Sequence, residues 1–541
     1  MIDRMEVRRG VSSSFQSVGS GYQIYWGDLH NHCAISYGHG SLGRALAVAR
    51  QQLDFTAVTG HAFWPDMPDD RSRYARIIDF HERGFAKLHA NWSDVQEKVE
   101  LANAPGAFVT FPCYEWHCRQ DGDYYVLYAG PDGPLIGGER VSELKAALRA
   151  AEQNGHAPAA LAIPHHIGYP EGCRGINWDS YSEDASPFVE IYSLHGCAES
   201  DEAPYPMLHT MGPRVGPHLA TAGLRAGHRF GLVASTDHHS GYPGSYGYGR
   251  LGTYASALTR EALWEAFLAR RVYAVTGDKI QATLRVNDAW PGASIDGNRR
   301  TRHLAVDVQA RDFIDHIELL KNERIIRRWS GPDPARAASL VSTAGGRRVR
   351  ATVRIEWGWG DVSSEVQWDA RLSLEDGQLH AVETCFAGPA VVAPKDHDDA
   401  LDDVLPHRLI DQDERGCAWE SSTTGNPTVR HSATQAIILD LEAPVRTGLC
   451  LQVNGKSYRV TLAELLEGSR GVCLEGFVSE AIVFHHAVPR ELSRFQREID
   501  DWPRRRLRAE AEAGRETDWY RLRVCQRNGQ WAWLSPIWVT G

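Results

Sequence analysis

The chain has 541 residues, a length that favours two or more domains over one. It is 43% hydrophobic and 23% charged, ordinary values for a globular protein. Its formal net charge of −11 argues against a general nucleic-acid binder, which would present a basic face. We therefore expect no nucleic-acid partner.

The N-terminal segment and the cysteines bear on location. Residues 1–20 lack the apolar core of a secretory signal, and no stretch approaches the roughly 20 apolar residues that cross a bilayer. The ten cysteines are scattered without a Cys-x-x-Cys pair, which indicates reduced thiols. We expect a cytoplasmic protein without a membrane partner; the sequence leaves the oligomeric state open.

From residue 22 to about 280, apolar runs alternate with helical patterns. The predicted strands are Tyr25–His30, Asp54–Thr59, Gly106–Phe111, Tyr124–Tyr128, Ala159–Ile163, Phe188–Ser193 and Phe230–Ser235. The predicted helices are Leu42–Leu53 with Ser41 as its cap, Tyr74–Leu101, Val141–Glu152, His218–Arg225 and Arg260–Arg270. This alternation favours an α/β fold with a parallel sheet closed into a barrel.

After about residue 280 the patterning changes to alternating apolar and polar residues. The clearest half-buried strands are predicted at Leu304–Gln309, Arg350–Trp357, Glu365–Leu374 and Trp519–Arg523, with hairpin turns at Glu375–Gly377 and Asn528–Gly529. One late helix is predicted at Pro489–Glu512, where the cluster Arg504–Arg506 is interpreted as a solvated face. We predict an N-terminal arm (1–21), a barrel (22–280) and a β-rich, sandwich-like domain (281–541).

Histidines and carboxylates gather at the predicted strand ends of the first half. Sixteen of the 24 histidines precede residue 240, and His30 and His32 share one face of the first strand by alternation. The further candidate ligands are His61, Glu115, His165 or His166, His195, Asp237 and His239. Any one of these histidines alone is more simply interpreted as a structural residue. The whole set, placed where the strands end at one face of the predicted barrel, predicts a metal site.

The chemical type of the candidate ligands narrows the choice of metal ion but does not identify one metal. Nitrogen and carboxylate ligands without clustered thiolates suit zinc, manganese or iron. Because about eight ligands exceed the needs of one ion, we expect two or three divalent ions, with the two oxygens of Glu115 as a bridge. Cys33 and Cys113 lie near these positions and are interpreted as packing residues.

The ordered motifs resemble those of the PHP (polymerase and histidinol phosphatase) family, especially its large bacterial branch with a β-rich C-terminal domain. They are Gly27–His32, Leu53–His61, Tyr114–Trp116, Pro164–His166, Val189–Gly196 and Ser235–Gly241, and Arg270–Asp278 and Trp531–Val539 are also similar to that branch. The resemblance covers about residues 22–290 and thins beyond. It implies a distorted (β/α)₇ barrel that holds up to three metal ions.

The resemblance also implies a ligand set for each ion. His30, His32, Glu115 and Asp237 would hold one ion, and Glu115, His165 or His166, and His195 a second, with His165 preferred. His61 and His239 would hold a third. Two departures from the family bear on that third ion. The chain has Ser36–His39 after the first motif, so either His39 takes over a ligand role or the ion is lost, and Gly60 replaces the usual aspartate before His61.

Several other residues are candidates for roles around the metals. His117 is a candidate proton donor, with a plain loop histidine as the alternative, and Glu190 is expected to support His195. Candidate substrate-binding residues are Arg119, Arg174 and Tyr37. The glycine-rich stretch Gly241–Gly249 suggests a mobile loop over the site.

The leading hypothesis is a metal-dependent hydrolase in which a metal-bound hydroxide attacks an ester-type centre. Asp237 is the candidate for taking a proton as well as binding metal. The resemblance implies either a phosphoester, as in many members of the family, or a carboxylic or carbamate ester, as in some members of its large branch. The acidic charge and the lack of a dense Arg/Lys cluster near the motifs favour a neutral ester or amide of a small molecule, and a phosphomonoester or phosphodiester is the alternative. Two further hypotheses are a non-catalytic, metal-stabilised binding module and a nuclease, for which no basic aromatic groove is visible.

Overall fold

The computed structural model describes residues 21–209, 211–297, 301–343, 348–389, 405–425, 433–475, 479–501 and 517–540. Within these ranges the fold is mixed α/β and rich in strands. The α-helices are α1 (Leu42–Gln52), α2 (Arg71–Ala102), α3 (Val141–Gln153), α4 (Ala220–Ala226), α5 (Arg260–Leu268), α6 (Arg336–Thr343) and α7 (Leu462–Glu467). Short 3₁₀ turns lie at Trp178–Ser180, Gly216–His218 and Arg490–Leu492.

The strands of the first half are mostly short. They are β1 (Gln23–Asp28), β2 (Phe55–Thr56), β3 (Thr59–Phe63), β4 (Val109–Thr110), β5 (Cys113–Trp116), β6 (Asp123–Tyr128), β7 (Ala160–His165), β8 (Phe188–Ser193), β9 (Gly196–Cys197), β10 (Gly231–Ala234), β11 (Arg250–Ala255) and β12 (Val272–Val275).

The strands of the second half are longer and more regular. They are β13 (Gln281–Val286), β14 (Ser294–Asp296), β15 (Arg302–Gln309), β16 (Ile314–Lys321), β17 (Arg324–Ser330), β18 (Arg348–Trp359), β19 (Glu365–Leu374), β20 (Gln378–Cys385), β21 (His407–Gln412) and β22 (Gly416–Thr424). The series ends with β23 (Thr434–Pro444), β24 (Gly448–Val453), β25 (Lys456–Thr461), β26 (Arg470–Cys473), β27 (Glu480–Phe484), β28 (Val488–Pro489), β29 (Arg494–Asp501), β30 (Thr517–Gln526), β31 (Trp531–Leu534) and β32 (Ile537–Thr540).

Side-chain caps fix where the helices begin. The Ser41 hydroxyl accepts a hydrogen bond from the Arg44 amide (2.9 Å), which starts α1 at Leu42 as predicted. Thr461 and Glu464 cap each other's backbone amides in a capping box at the start of α7. In both cases the cap satisfies an amide that has no partner inside the helix.

The predicted alternation of parallel strands holds only in part. The pairs β1–β2, β2–β4, β3–β5 and β8–β10 are parallel. Strand β6 is antiparallel to both β5 and β7, and β11 is antiparallel to β1, so the all-parallel expectation is wrong for these pairs. The chain turns back from β5 into β6 within six residues, and so short a connection allows only an antiparallel partner.

These first-half strands belong to three sheets. One orders β3-β5-β6-β7, one orders β10-β8-β9, and the largest contains β1, β2, β4, β11 and β12. The pairings among the described strands therefore do not form a closed barrel, and the (β/α)₇ barrel remains a prediction.

Backbone bonds beyond the strand ends bring the candidate ligands together. The Asp237 amide donates to the His30 carbonyl (2.7 Å), and the Thr59 amide donates to the Asn31 carbonyl (2.7 Å). Asn31 and His238 also form a parallel bridge. The carboxyl ends of β1 and β10 and the start of β3 therefore meet at one place.

Two sheets of the second half pack as the predicted sandwich. One orders β20-β23-β18-β27-β26 and the other β21-β22-β19-β24-β25. Trp357 of β18 and Trp419 of β22 meet across the interface with ring centroids 5.0 Å apart, and Trp368 lies in the same core. Burial of these large aromatic surfaces holds the two sheets together.

One of the two predicted hairpin turns is confirmed. Asn528–Gly529 joins the antiparallel pair β30 and β31. Glu375–Gly377 instead connects β19 to β20, which lie in different sheets, so the hairpin predicted there is wrong. A turn signal marks a change of chain direction but does not identify the strand's partner.

The predicted helix Pro489–Glu512 is wrong over its described part. Arg494–Asp501 is strand β29, which pairs antiparallel with β15 along its whole length. Pairing with a long neighbouring strand outweighs the helix propensity of the charged residues. The remainder, including Arg504–Arg506, lies outside the described residues.

The end of the chain joins the sheet that contains β1. Strand β31 pairs with β12 (Ala274 opposite Trp533), and β30 pairs with β16. Strands from both sides of residue 280 therefore share a sheet, and the domain limits 22–280 and 281–541 remain predictions. No helix in the described ranges is long and apolar enough to cross a membrane.

Candidate metal centre

Five candidate ligands converge at the meeting point of the strand ends. They are His30, His32, Glu115, His165 and Asp237, and their relative exposures lie between 0 and 3%. His30 and His32 follow β1, Glu115 lies on β5, His165 ends β7 and Asp237 follows β10. Their functional groups are therefore screened from solvent.

His32 is oriented by the backbone and aims its second nitrogen at the carboxylates. Its Nδ1 lies 2.8 Å from the Thr59 carbonyl, to which it donates, so the neutral ring would present the lone pair of Nε2 to a metal. That Nε2 lies 3.0 Å from Asp237 Oδ1 and 3.3 Å from Glu115 Oε2. His30 is oriented similarly by Glu190, whose Oε2 lies 3.1 Å from His30 Nδ1.

Glu115 faces different histidines with each of its oxygens. Its Oε2 lies 3.3 Å from both His32 Nε2 and His61 Nε2. Its Oε1 lies 3.2 Å from His165 Nε2 and 3.3 Å from His117 Nδ1. This is the arrangement that a bridging carboxylate requires.

Asp237 has the same two-sided arrangement, which the sequence did not indicate. Its Oδ1 faces His32, and its Oδ2 lies 2.9 Å from His195 Nε2. The other ring nitrogen of His195 is hydrogen-bonded to the Tyr169 hydroxyl (2.6 Å). His195 therefore joins the cluster through Asp237.

A third set of nitrogens lies beside the first. His32, His61 and His239 offer ligand atoms within 4.8 Å of one another. His61 Nδ1 is held by the Ser36 hydroxyl (3.0 Å), and His239 Nδ1 lies 2.9 Å from the Asp237 carbonyl. Ser36 thus orients the ring of His61, because its hydroxyl bonds Nδ1 and leaves Nε2 facing the cluster.

The donor set fits divalent metal ions. Among the described residues, Glu115 Oε2 and both ring nitrogens of His165 are buried and lack a hydrogen-bond partner. Imidazole lone pairs and carboxylate oxygens are all acceptors, and buried acceptors facing one another require a cation between them. Nitrogen and oxygen donors of this kind suit zinc, manganese or iron.

Electrostatics favours the protonation states that bind metal. Burial alone would raise the pKa values of Glu115 and Asp237, but the surrounding histidines hold both well below their ordinary range. Burial is the main cause that lowers the pKa values of His61, His165 and His239. Ionised carboxylates and neutral imidazoles are the ligand forms. His30 differs, because the charges of Asp237 and Glu190 outweigh its burial and raise its pKa well above the ordinary value, so an ion bound there would displace a proton.

Asp28 is a supporting residue whose role the sequence did not reveal. Its carboxylate accepts hydrogen bonds from the amides of His30 (3.2 Å), Thr236 (3.1 Å) and Gly244 (2.8 Å) and from the Thr236 hydroxyl (2.6 Å). It ties the segment carrying His30 to the segment carrying Asp237. Asp28 belongs to the motif Gly27–His32, but the sequence pattern does not distinguish a residue that binds metal from one that holds the ligand-bearing segments in place.

Asp123 is a second residue that sequence reasoning missed. One oxygen of its buried carboxylate, Oδ2, lies 3.1 Å from His117 Nδ1 and 3.3 Å from His166 Nε2, and also contacts Arg174 Nη2. His166 therefore faces Asp123, whereas His165 faces Glu115. The only available signal was an aspartate at the start of a predicted apolar strand.

The remaining predicted residues differ in how close they lie to the cluster. Tyr37 stacks on His61 with centroids 3.5 Å apart, and its hydroxyl lies 3.4 Å from His117 Nε2. Arg119 is exposed, and its Nε donates to the Gly172 carbonyl, away from the cluster. His39 reaches the site through its backbone amide, which donates to the His239 carbonyl (2.7 Å), so its ligand role remains a prediction.

The expected contact between Glu190 and His195 is wrong. Glu190 lies on β8 and pairs with His30 instead, because the alternation of the strand points its side chain toward β1. Burial raises the pKa of Glu190 to about 7.

The loop Gly241–Gly249 is tied down by its neighbours. The Tyr246 hydroxyl donates to Asp278 Oδ1 (2.7 Å) and accepts from Arg354 Nη1 (2.8 Å). The Gly388 amide donates to the Ser245 hydroxyl (3.0 Å). These contacts do not support the mobile loop that its glycine content suggested.

No protein-family model matches the chain. Uncharacterised proteins of Chlamydia trachomatis and Chlamydia pneumoniae are 27% and 25% identical to it over 168 and 184 residues, which are 28% and 31% of this chain. The matches span only 27% and 29% of those relatives. A two-domain protein from Bacteroides vulgatus containing a predicted PHP-like metal-dependent phosphoesterase aligns with a TM-score of 0.31 and 14% identity, over 56% of this chain and 80% of that chain.

Proposed function

We propose that the chain is a PHP-type metal-dependent hydrolase that cleaves an ester-type bond in a small molecule. One observation carries the proposal: Glu115 and Asp237 are buried carboxylates, and each turns its two oxygens toward different histidines. That arrangement suits two or more ions held side by side. The motifs from Gly27–His32 to Ser235–Gly241 resemble the PHP family and support the same reading.

Divalent ions held there would supply an acidic water and charge stabilisation at the attacked centre. The residues of the chain provide the rest. His30, His32, Glu115 and Asp237 hold the ligand geometry, and the low pKa of Asp237 keeps it ionised. His117, whose Nε2 faces the Tyr37 hydroxyl at the edge of the cluster, is the proposed donor of a proton to the leaving group.

The charge around the cluster favours a neutral ester or amide over a phosphoester. Besides the ions themselves, a phosphate site commonly offers an arginine or lysine whose charge is available to the phosphate oxygens. Arg174 is the predicted anion-binding residue that reaches the cluster, and its charge is already paired with Asp123. Arg119, the other candidate, is exposed and away from it.

A side-by-side assay tests the proposal. Protein loaded with manganese or zinc is offered p-nitrophenyl phosphates, p-nitrophenyl carboxylic and carbamate esters, and anilides. We expect turnover of an ester or amide and loss of at least a hundredfold in kcat/KM for His32→Ala, with no loss for the exposed control His303→Ala. Turnover of phosphates alone would favour the phosphoesterase alternative.

Complete inactivity of the metal-loaded protein would contradict the hydrolase. If His32→Ala then changed only the thermal stability, the chain would be a metal-stabilised binding module instead. Circular dichroism of both variants separates lost chemistry from lost folding.

A further inference from the structure

The guanidinium of Arg174 lies inside the ligand cluster. Its Nη2 contacts the Asp123 carboxylate and His117 Nδ1 and lies 3.8 Å from Glu115 Oε1. The side chain is 16% exposed, and its Cζ lies 5.2 Å from the centroid of the Trp64 ring. Because an arginine side chain stays protonated in proteins, the cluster contains one permanent positive charge of its own.

This charge is placed against the atoms of a possible ion site. Glu115, Asp123, His165 and His166 bring four ligand atoms within 4.8 Å of one another. The Asp123 oxygen among them, Oδ2, is the one that Arg174 contacts. We call this group of four residues the Asp123 corner. An ion bound there would share Asp123 Oδ2 with the guanidinium of Arg174, and the two positive charges would repel each other.

The backbone fixes Arg174 in this position. Its φ of 70° lies in the left-handed region, which non-glycine residues rarely adopt. A side chain on the following residue, Gly175, would come within 1.8 Å of the Tyr169 carbonyl oxygen, so the turn requires glycine there. A strained conformation of this kind persists only where its surroundings determine it, and such positions gather at functional sites.

We propose that Arg174 acts as a built-in cation that closes the Asp123 corner to a metal ion and thereby sets how many ions the chain holds. The proposal rests on the proposed function only in requiring that the cluster binds divalent ions. It does not require turnover. It also explains why Asp123 is ionised, with a pKa well below its ordinary range despite burial.

Metal counting tests the proposal directly. Wild-type protein and Arg174→Met are saturated with Mn²⁺ or Zn²⁺, dialysed to equilibrium and analysed for metal per chain. Methionine keeps much of the side-chain volume and removes the charge, so we expect one additional ion per chain. Arg174→Lys, which restores the positive charge, is expected to keep the wild-type number.

Two further variants make the result specific. In the double variant Asp123→Asn with Arg174→Met the corner loses its carboxylate, so the count is expected to return to the wild-type number. Arg119→Met is the matched control, since it removes an exposed arginine whose side chain bonds the Gly172 carbonyl, and it should leave the count unchanged. Circular dichroism confirms that each variant is folded.

An equal or smaller count in folded Arg174→Met would overturn the proposal. If that variant does not fold, Asp123→Asn alone decides: the wild-type count is expected, and loss of an ion would show that Asp123 is already a ligand and overturn the proposal. A wild-type protein that binds no ion would overturn both proposals, whereas ions in the wild type without a gain in Arg174→Met overturn only this one.

Discussion

At the scale of single residues, three carboxylates have partners of three kinds; Asp123 and Glu115 are buried and Glu356 is partly buried. Asp123 is paired with Arg174, and Glu356 lies 2.8 Å from His485 Nε2. Glu115 is surrounded by imidazoles such as His165, whose pKa burial holds well below its ordinary value.

Neutral imidazoles cannot balance a buried negative charge. His30, 3.5 Å from Glu115, is an exception, because the carboxylates of Asp237 and Glu190 raise its pKa well above the ordinary value despite its burial. Divalent ions between Glu115 and the other histidines would supply further positive charge.

Glu356 provides a pH prediction away from the metals. Burial opposes its ionisation, but the hydrogen bond from His485 and the charge of Arg354 lower its pKa from 4.5 to about 2. A carboxylate with a depressed folded-state pKa stabilises the protein above its unfolded pKa, and the stabilisation is lost as pH falls through the folded value. The pair should therefore lose its contribution between pH 4.5 and pH 2.

We expect Glu356→Gln to lower the free energy of unfolding by up to about 3 kcal/mol at neutral pH. The difference from the wild type should shrink as pH falls from 4.5 to 2 in urea titrations. The exposed Glu97→Gln serves as the control and should show no such trend. A difference for Glu356→Gln that stays constant over this pH interval would contradict the assignment.

At the scale of elements, the sequence pattern predicts where strands and helices lie better than it predicts which strands pair with one another. The bounds Phe188–Ser193 and the capped start of α1 follow from the sequence, because alternation and a side-chain cap are local properties. The antiparallel position of β6 and the strand β29 do not, since pairing depends on contacts far along the chain. A local sequence pattern describes one segment of the chain, whereas a β-sheet forms by pairing between segments that are far apart in sequence.

The same limit applies to the site. His30, His32, Glu115 and Asp237 were predicted from strand ends and motifs, and the structure brings all four together. Asp123 was missed and the exact place of Arg174 could not be foreseen, because an aspartate opening a strand and an arginine in a loop carry no periodic signal.

Strand β18 of the sandwich reaches the loop that carries the ligands. Arg354 donates to the Tyr246 hydroxyl and its Cζ lies 4.8 Å from the Tyr246 ring centroid. The neighbouring segment adds a bond from the Tyr246 amide to the Phe386 carbonyl (2.9 Å). The sandwich therefore holds the loop just after Asp237 and His239.

We predict that Arg354→Ala weakens metal binding about tenfold, as loss of residues that support ligands usually does. The d–d absorption of the cobalt-loaded protein should shift at the same time, and Arg354→Lys should restore part of both. Arg350→Ala is the matched control, since Arg350 lies on the same strand and pairs with Asp440 (2.9 Å). Equal metal affinities for the two alanine variants would contradict a positioning role.

At the scale of the whole molecule, the two halves share structure rather than lie side by side. Strand β31 near the end of the chain pairs with β12, and Arg521 of β30 forms buried ion pairs with Glu199 and Glu323. Glu199 follows shortly after His195, so the final strands pack behind a candidate ligand. The candidate metal centre is therefore supported by described residues from both halves of the chain.

The central claim is that this shared scaffold holds a multinuclear metal centre. Elemental analysis of fully loaded protein, combined with anomalous diffraction at the metal absorption edge, tests it most directly. We predict at least two divalent ions per chain, with anomalous peaks on both sides of Glu115 among His30, His32 and His165. Fewer than two ions in a fully loaded sample, or peaks away from these residues, would contradict it.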